Sequence, residues 1–251
     1  MCQLLGISSN RDVDITFSFR EWRHRGDERN PHGYGFAWWK SSELQIVKAA
    51  SSLYKARDVD TEEVTAARSQ IFIAHVRLKS VGPQDGVNTH PFTAPFEGRL
   101  FAFAHNGTVS KNRTLHRLQP EGTTDSEHAF LWLLEQLAGT REAEFASRLT
   151  QLADEIRQTG SFNFLMSDGR TLWAYADSSL HFIERRPPYG GTLVRLKDDG
   201  YTIRLREVKR PDERAVLVAT QPLTDEAGWQ KLHAGDLLVI RDGVVVDRLT
   251  H

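Results

Sequence analysis

Two amphipathic helices set among many short strands predict a layered α+β fold rather than a chain of alternating βαβ units. The first helix opens at Thr124-Asp125-Ser126-Glu127, where Thr124 can cap, Glu127 stands at the capping-box spacing, and Phe130, Leu133, Leu134 and Leu137 follow at helical period. Gly139 stops it. The second runs from Arg141 to Arg157 on Phe145, Leu149, Leu152 and Ile156, so the pair is expected to pack on the same side of a sheet. Strand-type runs separated by turn residues occupy most of the remaining chain.

Gln3 to Ile7 reads as a short buried strand, ended by a turn or loop at Ser8-Ser9-Asn10 with Asp12. Phe17, Phe19 and Trp22 bring aromatic bulk before Arg23 to His32, a charged stretch without period that reads as a surface loop able to cover a pocket. Gly33 to Trp39 and Leu44 to Val47 form a hairpin across Ser41-Ser42, with glycines that let another segment pack close. Thr61 to Ser69 reads as a short helix and Ile71 to Arg77 as an interior strand with its charge at the exit.

Leu78 to Pro95 is loop-like. The strand Leu100 to Ala104 then delivers His105-Asn106-Gly107 at its end. If this strand and that of Arg77 are neighbours in one sheet, Arg77 and Asn106 lie along one edge of it. Ser161 to Met166 and Thr171 to Ala176 flank the turn Ser167-Asp168-Gly169-Arg170. Further strands are expected at Leu180 to Glu184, Thr192 to Leu196, Thr202 to Leu205, Ala215 to Ala219, Leu237 to Ile240 and Val244 to Val246.

With 251 residues the chain can build one sizeable core or two modest ones. The 32 Lys and Arg residues nearly balance 33 Asp and Glu, so no global field attracts nucleic acid or an anionic membrane. One cysteine excludes an internal disulfide and an all-cysteine metal site, and it fits a reducing compartment. Neither a signal peptide nor an 18-residue apolar run is present, so the expected compartment is cytoplasmic. Phosphate-loop, dinucleotide and His-Glu-X-X-His patterns are absent, and His75, His90 and His105 lie on separate segments without metal spacing. No cofactor or metal is expected.

Cys2 follows the initiator methionine directly. With Met1 removed it would carry both a thiol and an α-amine whose ordinary pKa is near 8, hence its own nucleophile and its own base. Attack on the side-chain amide of a small zwitterionic amino acid unites Cys2 with the other polar groups. Arg77 suits an α-carboxylate, Asp125 an α-ammonium, and Asn106 with the Gly107 N–H a developing oxyanion. Each also has a structural reading: Cys2 as filler at a core edge, Arg77 as a surface ion pair, Asn106-Gly107 as a hairpin turn, Asp125 as a charge at a helix start.

Met-Cys at the start, His75-Val76-Arg77, Asn88-Thr89-His90-Pro91-Phe92, His105-Asn106-Gly107 and Thr124-Asp125-Ser126-Glu127 occur in an order that resembles the class II glutamine amidotransferases, an N-terminal-nucleophile hydrolase family. Ala219-Thr220-Gln221-Pro222-Leu223-Thr224 and Trp229 extend the resemblance to the compact stand-alone branch and over essentially the whole chain. It implies a four-layer αββα sandwich formed by a single domain over residues 1–251. It also implies Cys2 as nucleophile, Asn106 and Gly107 as oxyanion hole, Arg77 and Asp125 as the holders of glutamine, and His90 in a supporting role that orders the glutamine loop.

The chain departs from the larger synthases in having no length for an ammonia-receiving domain and in placing Leu78, where many have tryptophan, after Arg77. Ammonia would pass to solvent or to a separate ammonia-accepting protein. Alternatively the substrate is another γ-glutamyl compound, as in a branch resembling the ergothioneine-pathway hydrolase, with the His24 to His32 loop and the aromatic residues near Tyr34 shaping its pocket. The contrasting expectation is a catalytically silent ligand-binding or partner-regulatory protein on the same scaffold, with Met1 retained.

Overall fold

A computed structural model describes residues 2–79, 82–191 and 193–250. In chain order the elements are β1 (Gln3–Val13), α1 (Thr16–Arg25), β2 (Tyr34–Lys40), β3 (Glu43–Ala49), α2 (Asp58–Ala66), β4 (Ser69–Val76), β5 (Phe92–Phe96) and β6 (Arg99–Thr108). There follow α3 (Asp125–Leu137), α4 (Glu142–Arg157), β7 (Ser161–Ser167), β8 (Thr171–Tyr175), β9 (His181–Arg185), β10 (Leu193–Arg195), β11 (Thr202–Arg204) and α5 (Leu205–Val208). The chain closes with β12 (Ala215–Ala219), β13 (Gln230–Lys231), β14 (Leu237–Arg241) and β15 (Val244–Leu249).

Two antiparallel sheets carry the architecture, a seven-stranded one in the order β13-β9-β12-β1-β4-β2-β3 and a six-stranded one in the order β15-β14-β8-β7-β6-β5. Strand residues alternate between faces, and that period of two sorts the apolar side chains into three layers. Leu4, Ala37, Ile71, Ile73, Ala102, Ala104, Leu165 and Val218 fill the space between the sheets. Leu5, Phe36, Phe72, Ala74 and Leu217 face the other way, against Phe19 and Trp22 of α1 and Val64 of α2. Phe101, Phe103, Phe162 and Phe164 pack under Phe130, Leu134, Leu149 and Ile156 of α3 and α4. The result is the expected α+β, four-layer αββα sandwich, with each fully buried large side chain contributing about 1.5–3 kcal/mol.

Several local expectations are corrected. β1 does not stop at Ile7: Ser8 and Ser9 are buried and pair with Val216 and Ala215, and the Ser9 hydroxyl donates to Arg214 O. The stretch from Phe17 is helical through Arg25, because Phe19 and Trp22 bury one face while Glu21 and Arg25, also buried, pair at 2.8 Å across one turn. Ser69 belongs to β4, not to the helix before it. β5 lies within the expected loop, with Pro95 tolerated because β5 is at the sheet edge. The strand expected from Thr192 is described from Leu193, Thr192 lying outside the described residues.

The more consequential correction concerns β4 and β6, which lie in different sheets. Arg77 and Asn106 therefore do not share an edge. Asn106-Gly107 is also no hairpin turn, since β6 continues through it to Thr108 and pairs Asn106 with Asn163 and Gly107 with Phe162.

Candidate functional site

Alternation decides where the polar side chains go. On β1 Leu4 faces the inter-sheet layer, so Cys2, two residues earlier, lies on the same face. Ile71 and Ile73 of β4 place His75 and then Arg77 on that side, and Ala102 and Ala104 of β6 do so for Asn106. The two sheets thus present Cys2 with Arg77, and Asn106, to a common interior.

Cys2 is half-buried, and its Sγ meets one residue twice, accepting from Leu78 N–H at 3.1 Å and donating to Leu78 O at 3.3 Å. Burial pushes its thiol pKa up, opposed by the Leu78 amide and the positive charge of Arg77. The Arg77 guanidinium is itself pushed down by burial, against the opposing influence of Cys2, Asp85 and Asp125. That mutual influence gathers the Cys2 thiol, the Arg77 cation and Asp125 in one neighbourhood. Arg77 also donates through Nη1 to Pro83 O at 3.0 Å.

Asp125 opens α3 and is buried, its Oδ2 accepting Val109 N–H at 2.8 Å. Thr124 caps the helix by accepting Glu127 N–H at 3.2 Å. The Glu127 carboxylate does not return to the cap; it accepts the amides of Glu121 and Gly122 and so pins the loop leading into the helix.

On β6, Asn106 is buried, its carbonyl accepting from Asn163 Nδ2 at 3.1 Å and its Nδ2 lying 3.5 Å from the Thr220 hydroxyl. Thr220 Oγ1 also accepts Leu4 N–H at 2.9 Å, which ties the oxyanion candidate to the strand of Cys2 across the sheets. Gly107 has φ +154°, and a Cβ there would sit 1.9 Å from Ser161 O. Only glycine fits. Neighbouring His105 takes the opposite face, its Nε2–H donating to Ser161 O at 3.1 Å and its Nδ1 accepting from the Ser126 hydroxyl at 2.8 Å.

His90 packs among aromatic rings. It is buried, its ring 4.2 Å from that of His75 and 4.5 Å from Phe92, while its carbonyl crosses Gly35 where a Cβ would approach to 2.0 Å. Burial first, then neighbouring positive groups, lowers His90 well below the ordinary imidazole value and His75 to about 3. Both are neutral packing elements beneath the loop of Asn88, whose Oδ1 accepts Thr123 N–H at 2.8 Å. Among the described residues no group of three or more His, Cys, Asp or Glu could hold a metal ion, and no helix is long and apolar enough to cross a membrane. A surface cavity of about 490 Å³ opens elsewhere, by Asp14, Phe17, Arg68 and Tyr201, and includes none of these site residues.

The contacts that hold these residues, from the Leu78 backbone, Asn163 and Thr220, are not legible in the sequence. Leu78 acts through its backbone, which carries no residue signature, and Asn163 and Thr220 meet β6 across 57 and 114 residues. Only the resemblance of the Ala219 to Thr224 stretch pointed toward Thr220.

The chain matches the family described as Glutamine amidotransferases class-II over residues 1–251. It is 38% identical to an uncharacterised protein of Methanocaldococcus jannaschii, over 98% of this chain and 71% of that one. It is 36% identical to YafJ of Escherichia coli, whose name places it among the glutamine amidotransferases without stating a substrate, over 94% of this chain and 96% of YafJ. A crystal structure described as a predicted glutamine amidotransferase from Pseudomonas aeruginosa superposes with a TM-score of 0.73 at 27% identity, covering 98% of this chain and all of that one. The glutamine phosphoribosylpyrophosphate amidotransferase of B. subtilis shares the fold at a TM-score of 0.63 and 15% identity, over 96% of this chain and 47% of its own. With the sandwich, the ordered motifs and a match over its full length, this chain belongs to the class II glutamine amidotransferases.

Proposed function

We propose that the chain hydrolyses the γ-amide of glutamine, or of a related γ-glutamyl compound, through a thioester on Cys2. The observation that carries this reading is the convergence of Cys2, Arg77 and Asn106 on the inter-sheet layer, with Asp125 within electrostatic reach of Arg77. Arg77 holds the α-carboxylate and Asp125 the α-ammonium. The substrate's γ-carbonyl is thereby directed toward Sγ. His90 supports the loop beside them without touching the substrate.

Removal of Met1, which lies outside the described residues, frees the Cys2 α-amine. The amine takes the thiol proton, and the thiolate sulfur bonds to the carbonyl carbon of the γ-amide while the carbonyl π pair moves onto oxygen. Asn106 Nδ2 and Gly107 N–H stabilise that oxyanion. Its collapse breaks the C–N bond, and the ammonium passes its proton to the departing ammonia or amine. Water then attacks the thioester, giving its proton to the amine, and glutamate leaves as Sγ is restored. Burial opposes thiolate formation, so the Leu78 amide and Arg77 serve the chemistry by offsetting it. The product ammonia passes to solvent or to a separate ammonia-accepting protein.

The test is incubation of the processed protein with glutamine and a panel of γ-glutamyl amides, reading glutamate together with ammonia or amine. Turnover that disappears in Cys2→Ala supports the proposal. Turnover that survives it, or an unreactive protein with Met1 still attached in its native host, favours the silent ligand-binding alternative.

A further inference from the structure

β4 lies between β1 and β2, and consecutive residues of an antiparallel strand direct their backbone groups to opposite neighbours. That alternation continues past Val76. Arg77 turns to the β2 side, donating N–H to Gly33 O at 2.8 Å and accepting His32 N–H at 3.1 Å. Leu78 turns to the β1 side, where both its N–H and its carbonyl meet Cys2 Sγ. Lys79 turns back, and its N–H donates at 3.2 Å to the side chain of His32, through Nδ1.

The imidazole therefore adds one more rung on the β2 side, immediately after the residue that cradles the nucleophile. We infer that His32 is a positioning residue for Cys2: its Nδ1 acceptor fixes the chain direction at Lys79 and so keeps the Leu78 N–H aimed at Sγ. An Nδ1 that accepts is unprotonated, so the neutral ring carries its hydrogen on Nε2. His32 is half-buried at the end of the loop between α1 and β2, which gives that loop a part in tuning the thiol. Losing the rung lets the Leu78 amide turn away and removes a donor that favours thiolate over thiol. The inference rests on the proposed nucleophilic role of Cys2 only for its purpose; the geometry stands without it.

Because Cys2 is the sole cysteine, iodoacetamide labelling followed by intact mass reports on it alone and needs no turnover. The labelling rate is measured against pH for wild type, His32→Ala, His32→Leu and His32→Asn, all with the same N-terminus and with thermal unfolding compared in parallel. Asparagine places Oδ1 where Nδ1 was, whereas leucine keeps bulk without an acceptor. The expected result is labelling at neutral pH slowed about five- to tenfold in His32→Ala and His32→Leu, with the pH midpoint displaced upward, and near wild-type behaviour in His32→Asn. Labelling of His32→Leu at the wild-type rate, or of His32→Asn as slowly as His32→Leu, would overturn the inference. Labelling that follows His32 in a protein that turns over no γ-glutamyl compound would refute the proposed activity and leave the positioning role standing.

Discussion

The two sheets hold their shares of the site by different means. On the seven-stranded side Cys2 is half-buried and Sγ is held by the backbone of Leu78, two residues past the end of β4. On the six-stranded side Asn106, Gly107 and Asp125 sit inside a mesh of side chains: Asn163, Thr220, His105, Ser126 and the Val109 amide. In the proposed chemistry Cys2 is the group that changes protonation state and carries an acyl group, whereas the groups proposed to receive charge are held by side-chain and backbone partners beforehand. Preorganised donors gain their effect from not moving during reaction. Substitutions that break a fixed contact should therefore separate the halves, harming chemistry alone at Cys2 and chemistry with stability on the six-stranded side, while one that keeps the contact there should spare stability.

The largest effect is expected from Cys2→Ala, with turnover of any active γ-glutamyl substrate lowered at least about 10³-fold while the unfolding free energy stays within about 0.5 kcal/mol of wild type. Gly107→Ala should fail structurally. Its Cβ would meet Ser161 O at 1.9 Å, and urea unfolding should reveal a loss of about 3 kcal/mol or more.

Asp125→Asn retains an acceptor for Val109 N–H but removes the charge opposite an α-ammonium. Steady-state kinetics should give a KM raised about 30-fold with little change in stability, consistent with about 2 kcal/mol for a truncated charge pair.

The buried histidines set a pH dependence of stability. His75 stays neutral in the fold down to about 3, whereas an unfolded imidazole protonates near 6.5. Below the latter value the unfolded state binds more protons, so stability falls as pH falls, by up to about 1.4 kcal/mol per unit for this residue. Denaturant titrations at pH 7 and pH 5 read the loss, and His75→Phe should make it shallower, with the share of His90 remaining.

Thr220→Val is the mildest break. It removes the hydroxyl shared by Leu4 N–H and Asn106 Nδ2, and it should lower kcat about tenfold with a stability loss of about 1 kcal/mol.

What was legible in the sequence was local. Thr124, Glu127 and the apolar period of α3 announce a helix because the cap and the stripe are within a few residues of one another. The hairpins at Ser41-Ser42 and Asp168-Gly169 were visible for the same reason. The helix at Phe17 was obscured by its charges, since the burial of Glu21 and Arg25 depends on each other and on Asp198, Gln221 and Pro222 far along the chain. Asn106-Gly107 resembled a turn because residue type alone cannot reveal a strand that continues through a glycine with Ser161 O against it. Arg77 and Asn106 emerged as partners, but on the wrong geometry: facing sheets bring them to one interior where a shared edge was expected. The His24 to His32 loop is expected to shape a pocket, but the bond from Lys79 N–H to His32 joins residues 47 apart and has no local signature.

The central claim is that Cys2, freed of Met1, carries the acyl group. Processed protein is mixed with a substrate found in the γ-glutamyl panel, quenched in acid during turnover, and digested for mass measurement of the N-terminal peptide. A glutamyl adduct on a peptide that begins at Cys2, removed by hydroxylamine, is the predicted result; sustained turnover with that peptide unmodified, and equal turnover by Cys2→Ala, would contradict it.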